Sequence, residues 1–210
     1  EQDYLIEAQR YLGSPSTPGW SDTMGLAYLS LLSEQGQNAL PAKRYQELKT
    51  RFLDYADALV KTSQASPFRT AMTANDFVWG SNGVAMNHAM VLASAYRISN
   101  NPDYRHTFTG LVDYVLGKNP VDYSYVTGFG ETSPRFIHHR QSHADGIAEP
   151  VPGFLVGGAQ NGQQDNCQYS ASLPATSYKD NWCSYSTNEV TINWNAPLVY
   201  SLAAMITLTK

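Results

Sequence analysis

Apolar residues recur every three or four positions along most of the chain, the spacing of helices that bury one face. Serine or aspartate caps and prolines at first helical positions mark where these helices begin. In chain order, the predicted helices are residues 1–12, one capped by Ser21 or Asp22 and ending near Gly36, a longer one from Pro41, one from Ser81 to Asn100–Asn101, one from Pro102 to Gly117, and one following Pro197. No repeated strand pattern lies between them, so we predict an all-α fold.

Residues 119–192 interrupt this pattern with a long stretch rich in Gly, Pro, Ser, Asn and aromatic residues. Structureless segments of that length are uncommon in compact domains and usually carry function. The aromatic content is too high for a disordered linker. We therefore expect a helical scaffold that carries one large ordered loop region as its working face.

The composition bounds the function classes. The 210 residues suit one domain, 1–210, with a net charge of −4 and no lysine- or arginine-rich run, so we set nucleic-acid binding aside. No apolar stretch approaches the roughly 20 residues of a membrane span. Only 15% of residues are charged, against 14 tyrosines and 4 tryptophans. Such a surface suits a neutral polar ligand such as a sugar, although most tyrosines could simply fill the core.

Two cysteines, Cys167 and Cys183, flank a polar, turn-rich stretch. They could be free core thiols, as in a cytosolic protein, but their polar setting favours a disulfide and a secreted protein. By the loop-entropy relation, that bridge would stabilise the fold by roughly 3 kcal/mol.

Histidines and an arginine gather in the segment 124–143. His138, His139 and His143 could bind zinc, but no carboxylate or cysteine stands at a matching spacing. We favour a polar site in which histidine and Arg140 donate hydrogen bonds to a ligand.

Two carboxylates, Asp180 and Glu189, stand nine residues apart with Trp182 and Tyr185 between them. A carboxyl group among aromatic side chains loses hydration, which favours its protonated form, as a general acid requires. The alternative is a pair of ordinary exposed carboxylates.

Two tryptophans, Trp79 and Trp20, precede predicted helix starts. Exposed aromatic rings at such positions can stack on sugar faces. Each could equally anchor the core.

These motifs together resemble a known family. Residues 124–140, SYVTGFGETSPRFIHHR, are similar to the first signature of the family 9 glycoside hydrolases, the inverting cellulases, and residues 178–196 are similar to the second. Thr132 departs mildly from the first signature. The segments DYVLGKNPVDYSYVTGFG, PGFLVGGAQNG and WGSN and the closing helix also resemble the family, so the likeness covers nearly the whole chain.

The resemblance implies an (α/α)6 barrel of twelve helices with an open cleft at its loop end. This chain would supply about half of the helices and long active-site loops. Glu189 would be the catalytic proton donor, and Asp180 the second carboxylate of its signature, with a supporting role. His138 and Arg140 would contact sugar near the cleavage point.

Aromatic contacts to substrate are also implied. Trp79 resembles a glucose-stacking platform, and Trp20, Trp194 and Tyr185 are further candidates. No catalytic cofactor or catalytic metal is expected. Structural calcium occurs in the family, but no calcium loop such as an EF-hand is present here.

The catalytic base is expected outside this chain. In the family it is an aspartate of an Asp-Ala-Gly-Asp motif, and no such motif occurs in these 210 residues. The chain begins directly in a helical pattern, so we expect a partner in the N-terminal half of the same catalytic domain. We expect the isolated chain neither to fold stably nor to hydrolyse cellulose.

Three activities follow from the resemblance. The first is an extracellular endo-acting β-1,4-glucanase, and the second an exo-acting cellobiohydrolase, cellodextrinase or exo-glucosidase, in which the insert 143–177 could block one end of the cleft. The third is a non-catalytic carbohydrate-binding relative. The β-glucan substrate is the expected ligand in all three.

Overall fold

The computed structural model of the protein describes residues 2–160, 162–169 and 173–208. Helices form most of its regular structure. In the described residues they are α1 (Gln2–Arg10), α2 (Met24–Leu31), α3 (Glu34–Ala39), α4 (Ala42–Ala65), α5 (Ser81–Ser99), α6 (Pro102–Val115), α7 (Arg140–Ala144), α8 (Tyr185–Asn188) and α9 (Ile192–Leu208), with single 3₁₀ turns at Ala74–Asp76 and Pro174–Thr176. Strand pairing in the same residues is confined to isolated bridges. The all-α prediction is confirmed.

Helix α5 lies at the centre of this scaffold. It packs against α6 on one side and α9 on the other, while α4 contacts both α5 and α6. Nearly every side chain from Ser81 to Ala95 is buried, as expected of a helix surrounded by other helices. Its predicted bounds are confirmed: it ends at Asn100, whose left-handed φ of 56° closes the helix.

The start of α6 is also as predicted. Pro102 occupies its first turn, and the Asn101 side chain accepts a hydrogen bond from the backbone N–H of Asp103 at 3.1 Å. Helix α4 likewise begins directly after Pro41.

The single helix predicted from residue 21 or 22 to Gly36 is wrong, because the chain forms two helices there. Ser33 accepts a hydrogen bond from the backbone N–H of Gly36 and so caps α3 rather than continuing α2. Gly36 lies inside α3, where an added Cβ would stand 2.1 Å from the carbonyl oxygen of Leu31. The close turn between the two helices therefore requires this glycine.

The last helix begins earlier than predicted. Helix α9 starts at Ile192 and contains Pro197 within it. The Asn195 side chain anchors its first turn to the loop region, since it accepts from the backbone N–H of Leu155 at 2.8 Å and donates to the Leu155 carbonyl at 3.2 Å. Pro197 removes one helical bond, to the carbonyl of Asn193, and because Asn193 is exposed, water can replace it.

The loop region 119–192 is ordered by short contacts with the scaffold and with itself. Val126 pairs with Leu155, and Val156 pairs with Val190, both in antiparallel bridges. The backbone N–H of Tyr125 donates to the Val115 carbonyl at the end of α6. These pairings bring the two motif segments into one face. No helix among the described residues is both long and apolar enough to cross a membrane.

Candidate active site

The short helix α8 presents Glu189 at its C-terminal end. Glu189 leaves the helix in extended conformation, with φ −63° and ψ 146°. Ser186, Thr187 and Asn188 are buried beneath it, so the helix is fixed from below while the half-buried Glu189 follows at the surface. One turn of helix thereby positions one carboxyl group.

Neighbouring segments hold the backbone of Glu189 on both sides. His138 pairs with Glu189 in a parallel bridge, and the His138 backbone N–H donates to the Asn188 carbonyl at 2.9 Å. On the other side, the Gly157 N–H donates to the Glu189 carbonyl at 2.9 Å. The predicted acid and the predicted sugar-contacting histidine are thus adjacent, although they are 51 positions apart in sequence.

Trp79 reaches the carboxyl group of Glu189 directly. Its indole Nε1–H donates a hydrogen bond to Glu189 Oε2 at 2.9 Å. The indole is 38% exposed, and its ring contacts Tyr185 with centroids 5.8 Å apart. Trp79 therefore offers an exposed ring and fixes one oxygen of the acid at the same time.

A row of aromatic rings continues from this pair. Tyr185 contacts His138 at 5.8 Å between centroids, and His138 contacts Trp182 at 6.0 Å. His138 Nε2 lies 3.0 Å from the Trp182 carbonyl oxygen. A carbonyl only accepts, so Nε2 carries the proton and donates, which leaves Nδ1 as the other polar atom of the ring.

The Asp180 carboxylate, in contrast to the Glu189 carboxyl group, is held by three hydrogen bonds from the first motif. Its carboxylate accepts the Tyr123 hydroxyl at 3.0 Å and the backbone N–H groups of Arg135 and Phe136 at 2.9 and 3.0 Å. All three donors belong to the segment that leads into His138. Asp180 thus ties the second motif to the first.

Tyrosines beneath the site are held protonated. Burial, followed by the charge of Asp180, raises the pKa of both Tyr178 and Tyr123. Tyr178 thereby remains a donor to Asn188 Oδ1, at 2.8 Å. This bond fixes the residue immediately before Glu189.

Asp165 is a structural centre that the sequence analysis missed. Its carboxylate accepts the hydroxyls of Ser186 and Tyr169, both at 2.5 Å, and the backbone N–H groups of Ser186 at 3.1 Å and Cys167 at 3.1 Å. Burial alone would raise the pKa of Asp165, but these hydrogen bonds outweigh it and lower the pKa. The buried carboxylate therefore anchors α8 from below. The sequence signal was weak, because Asp165 stands in a Gln- and Asn-rich stretch of no familiar pattern.

The histidines of the first motif have separate partners. The ring of His139 lies 2.9 Å from the Ser142 hydroxyl and caps α7, whereas the ring of His143 contacts Trp182 with centroids 4.5 Å apart. Arg140 begins α7 with an exposed side chain. No group of three His, Cys, Asp or Glu side chains in the described ranges forms a metal site.

The other two predicted aromatic contacts, Trp194 and Trp20, differ in their surroundings. Trp194 packs against the N-terminal turn of α5, where a Cβ on Gly83 would stand 2.3 Å from its ring, and a Cβ on Gly80 would stand 2.5 Å from it. Its ring fills a place that these glycines keep open. Trp20 precedes α2 and is 90% exposed.

The predicted disulfide is present. Cys167 and Cys183 are bonded to each other, 16 residues apart in sequence. The bridge joins the Asp165 segment to the residue two positions before Tyr185. It therefore closes the same loop that Asp165 anchors.

Taken together, a half-buried carboxyl group with one oxygen fixed by an indole N–H stands beside exposed rings and a histidine. Such a group can deliver a proton to a neutral ligand laid along the rings. Residues 1–202 match the family model described as glycosyl hydrolase family 9. The chain belongs to this family.

Relatives within glycosyl hydrolase family 9 differ in the activity for which they are named. The chain is 40% identical over 211 residues to a cellodextrinase of Butyrivibrio fibrisolvens, a match that covers 98% of this chain and 38% of the relative. It is 39% identical over 188 residues to a xyloglucan-specific endo-beta-1,4-glucanase of Bacteroides ovatus, covering 88% of this chain and 32% of that protein.

Solved family 9 structures share the fold. The structure of AaCel9A in complex with cellobiose-like isofagomine matches with a TM-score of 0.87 and 36% identity, covering 97% of this chain and 39% of that one. The fold is therefore the (α/α)6 barrel, of which this chain supplies part of the helices and the loops above them. The chain spans about a third to two fifths of the length of these relatives.

Proposed function

We propose that the protein containing this chain hydrolyses β-1,4-glucosidic bonds of cellulose or related β-glucans with inversion, and that Glu189 is the general acid. The observation that carries the proposal is the hydrogen bond from Trp79 Nε1 to Glu189 Oε2 beside the exposed ring row. This hydrogen bond leaves Glu189 Oε1 to hold the proton. The proton passes to the glycosidic oxygen as the glycosidic bond breaks.

The remaining groups have distinct roles in this mechanism. Trp79 and Tyr185 receive sugar faces, and His138 and Arg140 donate hydrogen bonds to sugar hydroxyls. Asp180 acts through the fold, by holding the segment that carries His138. An aspartate outside these residues activates the water, at the roughly 6.5–9.5 Å carboxyl separation of inverting glycosidases. Secretion, and structural calcium in the complete module, belong to the same proposal.

The stereochemistry of the product tests the reaction. Proton NMR during hydrolysis of a cello-oligosaccharide by the complete protein should show the α-anomer first, because inversion acts on a β-linkage. First appearance of the β-anomer would refute inversion. Binding of the oligosaccharide without cleavage would favour the non-catalytic alternative.

Endo action is our first assignment, and exo action the second. The relationship to a protein named cellodextrinase favours exo action. The relationship to a protein named xyloglucan-specific endo-beta-1,4-glucanase favours endo action. Viscosity of soluble substituted cellulose, followed together with released reducing ends, separates them. A steep viscosity loss at few new ends supports endo action, and many new ends at nearly constant viscosity support exo action.

A further inference from the structure

The row of aromatic rings Trp79, Tyr185, His138 and Trp182 ends beside a cavity. This cavity has no role in the mechanism proposed above. Trp182 is 43% exposed and Phe136 is 39% exposed, and their centroids lie 5.9 Å apart in an edge-on arrangement. Beside them lies a cavity of about 240 Å³. Among the described residues, those that line it belong to the two family motifs and to the segment following the first motif.

The lining combines an aromatic wall with a few polar groups. Trp182 and Phe136 form the wall, Ile147 adds apolar surface, and His143 supplies hydrogen-bonding atoms. The Ser142 hydroxyl is already bonded to the His139 ring and to the Val151 N–H. Polar and apolar atoms contribute comparable shares of the cavity surface, which suits a ligand that carries hydroxyl groups around an apolar ring face. The cavity is smaller than the roughly 300–1,000 Å³ of drug-sized ligand pockets, which suits a single ring.

The charge of the cavity favours a neutral ligand. Arg135 is the charged lining group, and it is already paired with Glu149 at 3.2 Å. An anion would compete with Glu149 for the guanidinium. A polyhydroxylated ring can accept hydrogen bonds without breaking that pair.

Trp182 links the wall of the cavity to the active site. Trp182 contacts His138, and its carbonyl accepts the hydrogen bond of His138 Nε2. From Trp79 the row reaches Trp182 through Tyr185 and His138, at 5.8 to 6.0 Å between successive centroids. A sugar chain lying against Trp79 and His138 would therefore bring its next ring, or a branch, to Trp182.

We propose that Trp182, with Phe136 and His143, forms an additional subsite that takes one pyranose ring of the same glucan. This proposal rests on the proposed function. The ring can be a further glucosyl unit of the main chain or an α-linked branch sugar, since both offer the same apolar face and hydroxyl rim.

Binding measurements test the subsite independently of turnover. We would use the complete protein carrying Glu189→Gln and measure dissociation constants by calorimetry for cellotriose, cellohexaose and a xylosylated cellotetraose. Trp182→Ala should weaken at least one of the two larger ligands about three- to tenfold, the range expected for loss of an aromatic contact. It should leave cellotriose unchanged, and Trp182→Phe should recover most of the loss.

The two larger ligands separate the two sources of the ring. Weakening confined to cellohexaose assigns the subsite to the main chain, and weakening confined to the xylosylated ligand assigns it to a branch. The matched control is Phe68→Ala, an aromatic residue of similar exposure, 40%, in the turn after α4, and it should change none of the constants.

Three results would overturn the subsite: constants for both larger ligands within twofold of the parent, no binding of either, or equal weakening of cellotriose. The proposed function is tested by a separate measurement, which is hydrolysis by the protein in which Glu189 is intact. If that protein cleaves nothing while the Trp182→Ala effect persists, the proposed function falls and the subsite stands.

Discussion

Trp79 Nε1 donates to Glu189 Oε2 at 2.9 Å, and the two residues are 110 positions apart in sequence. The bond joins the turn before the central helix α5 to the end of the one-turn helix α8. A donor on one oxygen orients the carboxyl group and stabilises the carboxylate that remains after proton transfer. The residue that offers a stacking surface thus also positions the acid.

Replacing Trp79 by Phe keeps a ring and removes the donor. We expect kcat of the complete protein to fall about tenfold, the order of one hydrogen bond to a group that becomes charged. Unchanged kcat of the Trp79→Phe variant would show that the bond has no part in catalysis.

Asp180→Asn tests whether Asp180 acts through the fold. An amide cannot accept at its nitrogen, so at least one of the bonds from Tyr123, Arg135 and Phe136 is lost, and we expect about 1–3 kcal/mol lower stability in chemical unfolding. Activity should fall with it as the His138 segment loosens. Added azide should not restore activity. Rescue by azide would mean that a water-activating carboxylate had been removed, and would contradict the supporting role.

The lowered pKa of Asp165 predicts that its contribution to stability depends on pH. Its pKa is lowered in the folded protein, so its stabilisation is fully present above its unfolded value, near 3.8, and is lost as pH falls through the lower folded value. Asp165→Asn should therefore destabilise the complete protein at pH 7, and the difference from the parent should shrink below about pH 4. A difference that is constant from pH 7 to pH 3 in denaturant unfolding would contradict this.

The Cys167–Cys183 bridge is expected to stabilise the protein by about 3 kcal/mol, from the loop it closes. The double replacement Cys167→Ser with Cys183→Ser should lower the free energy of unfolding by that order. Reduction of the parent protein with dithiothreitol should have the same effect and should leave the double variant unchanged. Equal stability of the parent and the double variant in non-reducing buffer would show that the bridge does not stabilise the protein.

The sequence predicted best where local signals agree with tertiary packing. Pro102 and Asn101 mark a helix start in any context, and the apolar residues of α5 require burial on all sides. One error arose where a contact distant in sequence decides the outcome, since Asn195 starts α9 early because Leu155 holds it. The other has a local cause, since the Ser33 hydroxyl accepts from the Gly36 N–H and so caps a new helix.

For the candidate site, too, some features were predictable from the sequence and others were not. Glu189 and His138 were identified from their motifs, but their adjacency depends on the bridge between them, which no local pattern specifies. Asp165 was missed because a buried carboxylate satisfied by hydroxyl donors has no characteristic spacing. The ring contacts that link Trp79 to Trp182 likewise depend on the folded loop region, not on either motif alone.

The most direct test of the account is Glu189→Gln in the complete protein, with Glu47→Gln, an exposed substitution on α4, as the matched control. Hydrolysis of cello-oligosaccharides should fall by about 10²–10⁴-fold, the usual contribution of a general acid. A dinitrophenyl cellobioside should lose far less activity, because its leaving group departs without a proton. Oligosaccharide hydrolysis within a few-fold of the parent, or equal losses on both substrates, would contradict the assignment of Glu189 as the acid.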